Sequence, residues 1–331
     1  MIRRTLLRIG EATNFGPEEI VDNRDSFTAV EGLVVFGLGL LLAEFLTAHR
    51  SRCLPLAGRV IAACYPSAMT PGQDLSLPTL PNLRDIGGYR TNSGGTVRTG
   101  FLYRSTALDR LAGDDIATFD SLGVQSVFDF RTEAERSAEP DRLPSGVRGI
   151  VLDVLKDSSD AAPAQLFSIL ADPRAATELL GDGKAIQLFD RGYRELVTLP
   201  SALDAYGKFF TAIARSQARP ALFHCTTGKD RTGWAAAATL LLLGVSEADV
   251  ESDYLLTNRD LLPALQPVFD RFESLGGDPD LLRPVLGVEI EYLHASLGEM
   301  RKAYGTIEQY FSDGLRIGPE DQDSLRQALI L

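Results

Sequence analysis

The chain has few of the residues that hold metal ions or disulfide frameworks. Its 331 residues include three histidines and three cysteines, which are Cys53, Cys64 and Cys225. Three cysteines without metal-ligand spacing are too few for a disulfide scaffold, and they argue against a zinc site. We therefore expect no metal and no cofactor, and a protein that works in a reducing compartment.

Positive charge is also in short supply. Lys and Arg together number 33, against 45 Asp and Glu, so the formal net charge is −12. Nucleic-acid backbones favour clustered positive charge, so this composition argues against a nucleic-acid partner. Hydrophobic residues at 44% and charged residues at 24% are ordinary globular values, which excludes disorder and a multi-span membrane protein. We expect a cytoplasmic enzyme or binding domain with a packed core.

Residues 1–68 differ from the rest of the chain. They hold seven basic and seven acidic residues, so all of the net negative charge lies in 69–331. They also contain the most apolar run, residues 32–48, which includes Glu44 and is shorter than the about 20 residues that a spanning helix needs. Three interpretations of this extension stay open: a weak membrane anchor with the remainder in the cytosol, an added packing helix, or an over-long start before a working protein that begins at Met69.

From residue 83 onward, strand and helix patterns alternate. Short apolar, β-branched or aromatic runs predict strands at 101–104, 124–130 and 220–223. Apolar residues at helical spacing predict helices at 107–122, 200–216 and 233–243. Between these elements lies an insert, residues 156–197, which starts loosely and continues in helical pieces. The alternation predicts an α/β fold with a mainly parallel central sheet flanked by helices, formed by a domain over 69–331.

The segment His224–Gly233 (HCTTGKDRTG) links a predicted strand to an apolar helix. Backbone N–H groups at a helix N-terminus, aided by a glycine, form a cradle for a dianionic phosphate. The partial positive charge of these N–H groups and the guanidinium of Arg231 favour the thiolate form of Cys225. The guanidinium can also hold two phosphoryl oxygens in a planar fork. The hydroxyl of Thr232 can stabilise the sulfur as a leaving group. The predicted phosphate-binding residues are Thr226, Thr227, Gly228, Lys229, Asp230 and Arg231.

This segment resembles the signature loop of the cysteine-based protein tyrosine phosphatase superfamily. The form HCxxGKDRTG is similar to the bacterial and fungal tyrosine/serine phosphatase family, which also has motifs like NLRDIGG (82–88) and VRTGFLYRS (97–105). Asp129-Phe130-Arg131 with Glu135 resembles the family's D-L-R-x-x-x-E segment, with Phe in place of Leu. The tail 302–317 also resembles the family's C-terminal pattern. The resemblance covers roughly 77–331 and implies a tyrosine-phosphatase-like fold.

The resemblance implies metal-independent hydrolysis of phosphomonoesters through a phosphocysteine at Cys225. His224 is expected to orient the cysteine as a hydrogen-bond partner. The only tryptophan, Trp234, lies in the predicted helix, so the Trp-Pro-Asp loop of other superfamily members is absent. Asp129 and Asp230 are the two candidates for protonating the leaving group. Their alternatives are an ion pair with Arg131 for Asp129, and a role in shaping the loop for Asp230.

The substrate and the rival functions stay open. Lys229 adds positive charge to the cradle, which would suit phosphoinositides, although a solvated lysine is equally compatible with the pattern. The alternatives to a protein phosphatase are a phosphoinositide phosphatase with the same nucleophile and a catalytically inactive phospho-binding module. The insert 156–197 can fold over the cleft as a lid that shields an oxidisable thiolate. Arg84 and Asp85 of the NLRDIGG motif can form a structural ion pair. Membrane association is expected only through 32–48, and some family members are secreted.

Overall fold

The computed structural model describes residues 70–158, 172–215 and 218–331. Within these ranges, one sheet is formed by five strands: β1 (Arg84–Asp85), β2 (Leu102–Ser105), β3 (Ser126–Asp129), β4 (Arg148–Val151) and β5 (Ala221–His224). The strand order is β1-β2-β5-β3-β4. The extension 1–68, with its apolar run, lies outside the described residues, and the domain boundary at residue 69 stays a prediction. Across the described ranges, no helix has the length and apolar character needed to cross a bilayer.

The sheet is parallel except at one edge. β1 is antiparallel to β2, whereas β2, β5, β3 and β4 run parallel to one another. In the register, His224 pairs with Ser105 on one side and with Asp129 on the other. The carboxyl ends of the three central strands therefore lie side by side, and ligands bind at this edge in open α/β sheets. The predicted α/β fold with a mainly parallel sheet is confirmed.

Helices cover both faces of this sheet. In chain order they are α1 (Asp114–Ser121), α2 (Glu133–Ala138), α3 (Pro173–Leu180), α4 (Lys184–Thr198), α5 (Pro200–Ala214), α6 (Arg231–Leu242), α7 (Glu247–Leu261), α8 (Gln266–Ser274), α9 (Arg283–Leu286), α10 (Ile290–Tyr304), α11 (Ile307–Gln309) and α12 (Pro319–Leu329). Two 3₁₀ turns (Leu262–Leu265 and Pro279–Leu281) and a π-helical turn (Tyr310–Gly314) connect some of them.

The core lies on both faces of the sheet because the central strands are apolar on both sides. Phe128 and Phe223 face a large cluster that includes helices α4, α5, α6 and α10. Their neighbours Val127 and Leu222 face a smaller cluster with Phe119 of α1. Nearly every side chain of α6 is buried, which agrees with a helix that is apolar almost all round. This buried helix fixes the position of the loop that precedes it.

Three elements differ from the sequence prediction. β4 was not predicted because it is an edge strand, with Arg148, Gly149 and Val151 exposed, and so lacks a continuous apolar run. β1 was missed because it has two residues. The helix predicted at 107–122 begins only at Asp114, after Gly113, whose φ of +63° lies outside the helical region.

The insert between β4 and β5 contains two helices among its described residues, as its pattern predicts. Asp172 is the N-cap of α3, and its side chain accepts a hydrogen bond from the backbone N–H of Arg174. Proline follows at the first helical position. α4 buries one face, including Phe189 and Tyr193, and packs along α10. The insert is therefore anchored to the body of the domain through α4. Residues 159–171 lie outside the described part.

Candidate active site

The cysteine loop, residues 224–231, leaves the end of β5 and enters α6. Two side chains from the motifs at 82–88 and 97–105 donate hydrogen bonds to its carbonyl groups. Asn82 Nδ2 donates to the carbonyl oxygens of Thr227 at 3.1 Å and Gly228 at 3.2 Å. Arg104 Nη2 donates to the carbonyl of Gly228 at 2.7 Å. These contacts fix the peptide planes of the loop.

Gly228 is required by the path of this loop. Its φ is +67°, and a Cβ atom at this position would lie 2.1 Å from the carbonyl oxygen of Ser105. Both the backbone conformation and the close approach to β2 therefore exclude larger residues. The loop is held tightly against the end of the neighbouring strand.

The backbone N–H groups of the loop remain unused by the described protein. From Thr226 to Gly233, none of them donates a hydrogen bond to another described residue, and the helix ladder starts with the N–H of Trp234. Free amides at the start of a helix carry partial positive charge. Cys225 stands at the beginning of this row, and its residue is only 1% exposed. The loop can therefore stabilise an anion next to the sulfur.

Arg231 is fixed by an acidic partner on α2. Its Nη1 and Nη2 atoms lie 2.8 and 2.7 Å from the two carboxylate oxygens of Glu135. Within the described residues its Nε–H makes no hydrogen bond, so the Nε and Nη2 edge is left to hold two oxygens of a phosphoryl group. Burial alone would lower the pKa of Arg231, but Glu135 outweighs it and raises that pKa. The guanidinium therefore stays charged.

Glu135 is placed by the local sequence Thr-x-x-Glu. Thr132 and Glu135 form a capping box at the start of α2, with reciprocal contacts between side chain and backbone N–H. Thr226 of the cysteine loop also donates to Glu135 Oε1. Burial would raise the pKa of Glu135, but Arg231 and these donors lower it to about 2. One carboxylate thus joins the helix cap, the loop and the arginine.

We expect Glu135→Gln to reduce the dependence of stability on pH. A carboxyl whose pKa falls from 4.5 in the unfolded chain to about 2 in the folded protein adds stability above pH 4.5, and this contribution is lost as the pH falls through the folded value. The difference in free energy of unfolding between wild type and Glu135→Gln should therefore shrink from about pH 5 to about pH 3. Urea unfolding across this range measures it. Glu133→Gln, an exposed change on the same helix, should show a smaller trend; equal trends would contradict the prediction.

The two aspartates predicted as proton donors have different environments. Both oxygens of Asp129 accept from Arg131, Oδ1 from Nε at 2.9 Å and Oδ2 from Nη2 at 2.8 Å. This is the ion pair that the sequence offered as its alternative role. Asp230 Oδ1 accepts from Tyr193 Oη at 2.5 Å and from Lys229 Nζ at 2.9 Å. Asp230 Oδ2 makes no hydrogen bond with a described residue.

Lys229 is buried, so the interpretation as a solvated lysine is wrong. Its ammonium group contacts Asp230 and lies 4.4 Å from the ring centroid of Phe189, a cation–π contact. Phe189 and Tyr193 both belong to α4. The described part of the insert therefore covers the loop at Lys229 and Asp230, the two positions that precede Arg231.

The supporting residues His224 and Thr232 are both buried. His224 Nδ1 lies 2.9 Å from the carbonyl oxygen of Cys225, and the role of His224 as an orienting partner stays a prediction. The hydroxyl of Thr232 has no hydrogen-bond partner within the described residues. Its role toward the sulfur stays a prediction.

A model of the tyrosine phosphatase family matches residues 75–331, which covers the cysteine loop and every strand of the sheet. The chain belongs to this tyrosine phosphatase family. A putative tyrosine-protein phosphatase of Cupriavidus necator is 30% identical over 272 residues, which is 81% of this chain and 94% of that protein. The triple specificity protein phosphatase PtpB of Mycobacterium tuberculosis is 30% identical over 262 residues, 72% of this chain and 92% of that protein. A tyrosine-protein phosphatase of Nostoc commune is 30% identical over 156 residues, 46% of this chain and 47% of that protein.

The expected ion pair within the NLRDIGG motif is wrong for this tyrosine phosphatase. Arg84 instead contacts Asp253 at 3.3 Å and Asp260 at 3.6 Å, both on α7. Asp85 accepts backbone N–H groups of Gly87 and Gly100. The physical reason is that neighbouring residues of a strand point to opposite faces of the sheet. Asn82 of this motif hydrogen-bonds to the cysteine loop, and a structural role for the motif stays a prediction.

In the described part of the phosphatase, one group of side chains brings possible metal-binding atoms together: Asp129, Asp141 and His224. Arg131 Nη2 contacts both carboxylates, at 2.8 and 2.9 Å, and so provides their counter-charge. A guanidinium between the two acids makes this a poor cation site. The absence of a metal from the reaction stays a prediction, which assays without metal can test.

Sequence reasoning missed Asp141 and Tyr193 and gave Glu135 no role in this site. Asp141 and Tyr193 carried no signal, because their contacts to the loop join residues far apart in the chain. Glu135 was noticed only as a family motif, although the Thr-x-x-Glu spacing predicts a helix cap. What the spacing could not show is that the same carboxylate reaches Arg231.

Proposed function

We propose that this tyrosine phosphatase hydrolyses phosphotyrosine in proteins through a phosphocysteine at Cys225, without a metal ion. The observation that supports this is the unused set of donors next to the buried sulfur. The loop N–H groups and the Nε–H of Arg231 have no acceptor among the described residues, and a phosphoryl group presents three oxygens. Preorganised donors of this kind stabilise the charge that develops during phosphoryl transfer.

The proposed reaction has two displacements at phosphorus. In the first, the thiolate of Cys225 forms an S–P bond while the P–O bond to the tyrosine breaks, and an acid protonates the leaving oxygen. In the second, water attacks phosphorus, the S–P bond breaks and the thiolate is restored. The same acid, now a carboxylate, accepts a proton from this water. Inorganic phosphate and tyrosine are the products.

We propose Asp230 as the acid, with Asp129 as the alternative. Asp230 lies in the cysteine loop and has one oxygen without a hydrogen-bond donor among the described residues. Both oxygens of Asp129 are occupied by Arg131, and moving a proton onto either one would weaken a buried ion pair. A general acid needs a free oxygen within reach of the leaving group.

Phosphoinositides are a second class of substrate that this proposal considers. PtpB is described as a triple specificity phosphatase, and hydrolysis of phosphoinositides is the second candidate for this chain. Lys229 is the residue that would favour it. Since its ammonium group is held between Asp230 and Phe189, binding a further phosphate would require it to leave these contacts. We therefore rank phosphotyrosine first.

The insert 156–197 is proposed to act as a lid. Cys225 and Lys229 are at most 1% exposed, and α4 contacts Asp230 and Lys229 through Tyr193 and Phe189. A substrate therefore needs α4 or a neighbouring element to move. While α4 stays in place, it also limits the access of oxidants to the sulfur.

We expect Tyr193→Phe to make Cys225 easier to oxidise. The substitution removes the hydrogen bond from Tyr193 to Asp230 and the one that Tyr193 accepts from Tyr254 on α7. A loss of about 1 kcal/mol between α4 and Asp230 shifts an opening equilibrium about fivefold. Inactivation by hydrogen peroxide, followed over time, should become several-fold faster. Tyr304→Phe on α10 is the control, because its hydroxyl makes no hydrogen bond with a described residue. Equal rates in both variants and wild type would exclude the lid.

The substrate proposal is tested by initial rates without added metal on a phosphotyrosine peptide, a phosphoserine peptide and phosphoinositides. Wild type, Lys229→Ala and the exposed control Lys208→Ala are compared. We expect turnover of the phosphotyrosine peptide by all three proteins. A selective loss on phosphoinositides in Lys229→Ala would establish the second candidate. No metal-free turnover by wild type on any substrate would contradict the proposal and favour a phospho-binding module.

A further inference from the structure

His224 occupies a site where both of its ring nitrogens meet oxygen acceptors. Nδ1 lies 2.9 Å from the carbonyl oxygen of Cys225. Nε2 lies 3.2 Å from Asp141 Oδ2, as an ion pair rather than a well-aligned hydrogen bond. A carbonyl and a carboxylate cannot donate, and a neutral imidazole has an N–H on only one nitrogen. The geometry therefore fits the doubly protonated, positively charged ring.

The charges around the ring favour the same state. Asp141 faces it from the segment between α2 and β4, Asp129 from the end of β3, and Arg131 from the residues after β3. Burial alone would lower the pKa of His224, but the two carboxylates outweigh burial and Arg131 and raise it to about 9. Although burial would raise the pKa of Asp141, His224 and Arg131 hold it well below its usual range.

We propose that Asp141 is a positioning residue that keeps His224 as an imidazolium behind Cys225 and thereby favours the thiolate. This inference rests on the proposed cysteine chemistry. Asp141 contacts the ring at Nε2, whereas the backbone carbonyl of Cys225 lies on the Nδ1 side. The positive ring therefore contacts the residue that carries the sulfur through Nδ1, with the negative carboxylate on its other nitrogen, and a positive charge at this place favours a thiolate. The Nδ1–H also fixes the Cys225 carbonyl, and with it the direction of the amides that follow.

Asp141→Asn tests this inference because the structure can accommodate it. Asp141 Oδ1 accepts the backbone N–H of Leu108 at 2.9 Å and contacts Arg131 at 2.9 Å, and an amide oxygen keeps both contacts. The amide nitrogen then faces His224 Nε2 and can donate to it, so the ring becomes neutral while its Nδ1–H contact remains. Arg131 keeps its double contact with Asp129, so no buried charge loses its partner.

Two measurements report on the charge of the His224 ring and on its effect on thiolate formation at Cys225. Nitrogen NMR of the His224 ring should show both nitrogens protonated in wild type at about pH 7 and one protonated in Asp141→Asn. Alkylation of Cys225 by iodoacetamide, followed by peptide mass spectrometry to separate it from Cys53 and Cys64, gives the pH midpoint of thiolate formation. We expect this midpoint to rise by about one pH unit in Asp141→Asn. Asp120→Asn, an exposed change on α1, should leave it in place.

A neutral His224 in wild type, or an unchanged alkylation midpoint in Asp141→Asn, would overturn the inference. Lower turnover with an unchanged midpoint would give Asp141 a structural role only, and so would also overturn it. Neither measurement uses a phosphorylated substrate. If the alkylation and NMR results are as expected but wild type hydrolyses no phosphomonoester, the proposed function fails and the assignment of Asp141 stands.

Discussion

Cys225→Ser should reduce metal-free hydrolysis of a phosphotyrosine peptide by at least about 10⁴-fold. In the proposed mechanism the loop stabilises an anion at the sulfur, whereas a serine hydroxyl stays protonated and is a weak nucleophile without a neighbouring base. The variant should still bind the phosphopeptide, because the free N–H groups of the loop and the Arg231 fork do not depend on the sulfur. Initial rates and titration calorimetry on the same preparation measure both quantities.

The matched control is Cys64→Ser, which makes the same chemical change at another cysteine and should keep full activity. Retention of turnover by Cys225→Ser would show that the nucleophile is another group. Loss of both turnover and binding would show that the sulfur is needed to hold the loop together. In that case Cys225→Ala, which removes the polar atom, would separate loop distortion from loss of the nucleophile.

Arg231→Lys should lower kcat/KM by about 10²–10³-fold, the usual effect of removing one donor to a developing oxyanion. Lysine keeps the charge but not the planar fork, and its ammonium cannot contact both oxygens of Glu135 and a phosphoryl group together. Most of the loss should appear in kcat, because the fork fits the transition state better than the ground state.

Arg194→Lys on α4 is the control for this substitution, since Arg194 is exposed and pairs with Asp190 on the surface. Its kcat/KM should stay close to that of wild type. An Arg231→Lys enzyme with unchanged kcat/KM would show that charge alone suffices at this position. A loss confined to KM would assign Arg231 to ground-state binding.

The candidate site is predicted from sequence wherever the chemistry is local. Cys225, Gly228 and Arg231 lie within one loop, and the spacing between a strand and a helix fixes their relation. The structure explains the glycine by its positive φ and its approach to Ser105. The parallel sheet was predicted for the same reason, because its central strands are short, apolar and separated by helical patterns.

The contacts that hold this loop could not be predicted. Glu135 reaches Arg231, Asn82 reaches the loop carbonyls, and Tyr193 reaches Asp230 across long separations in the chain. Only the packing of α2, the N-terminal motif and α4 around β5 brings them together. The incorrect prediction of an ion pair between Arg84 and Asp85 has a related cause, since sequence neighbours in a strand face opposite sides of the sheet.

The central claim is that phosphate passes through Cys225, and trapping the intermediate tests it most directly. Wild type is mixed with a phosphotyrosine peptide without metal, quenched in acid within the first turnovers and digested for mass spectrometry. We predict a phosphoryl group on the peptide that contains Cys225, present in wild type and absent from Cys225→Ser. Turnover with no phosphorylated Cys225 peptide, or with the phosphoryl group on another residue, would contradict the account.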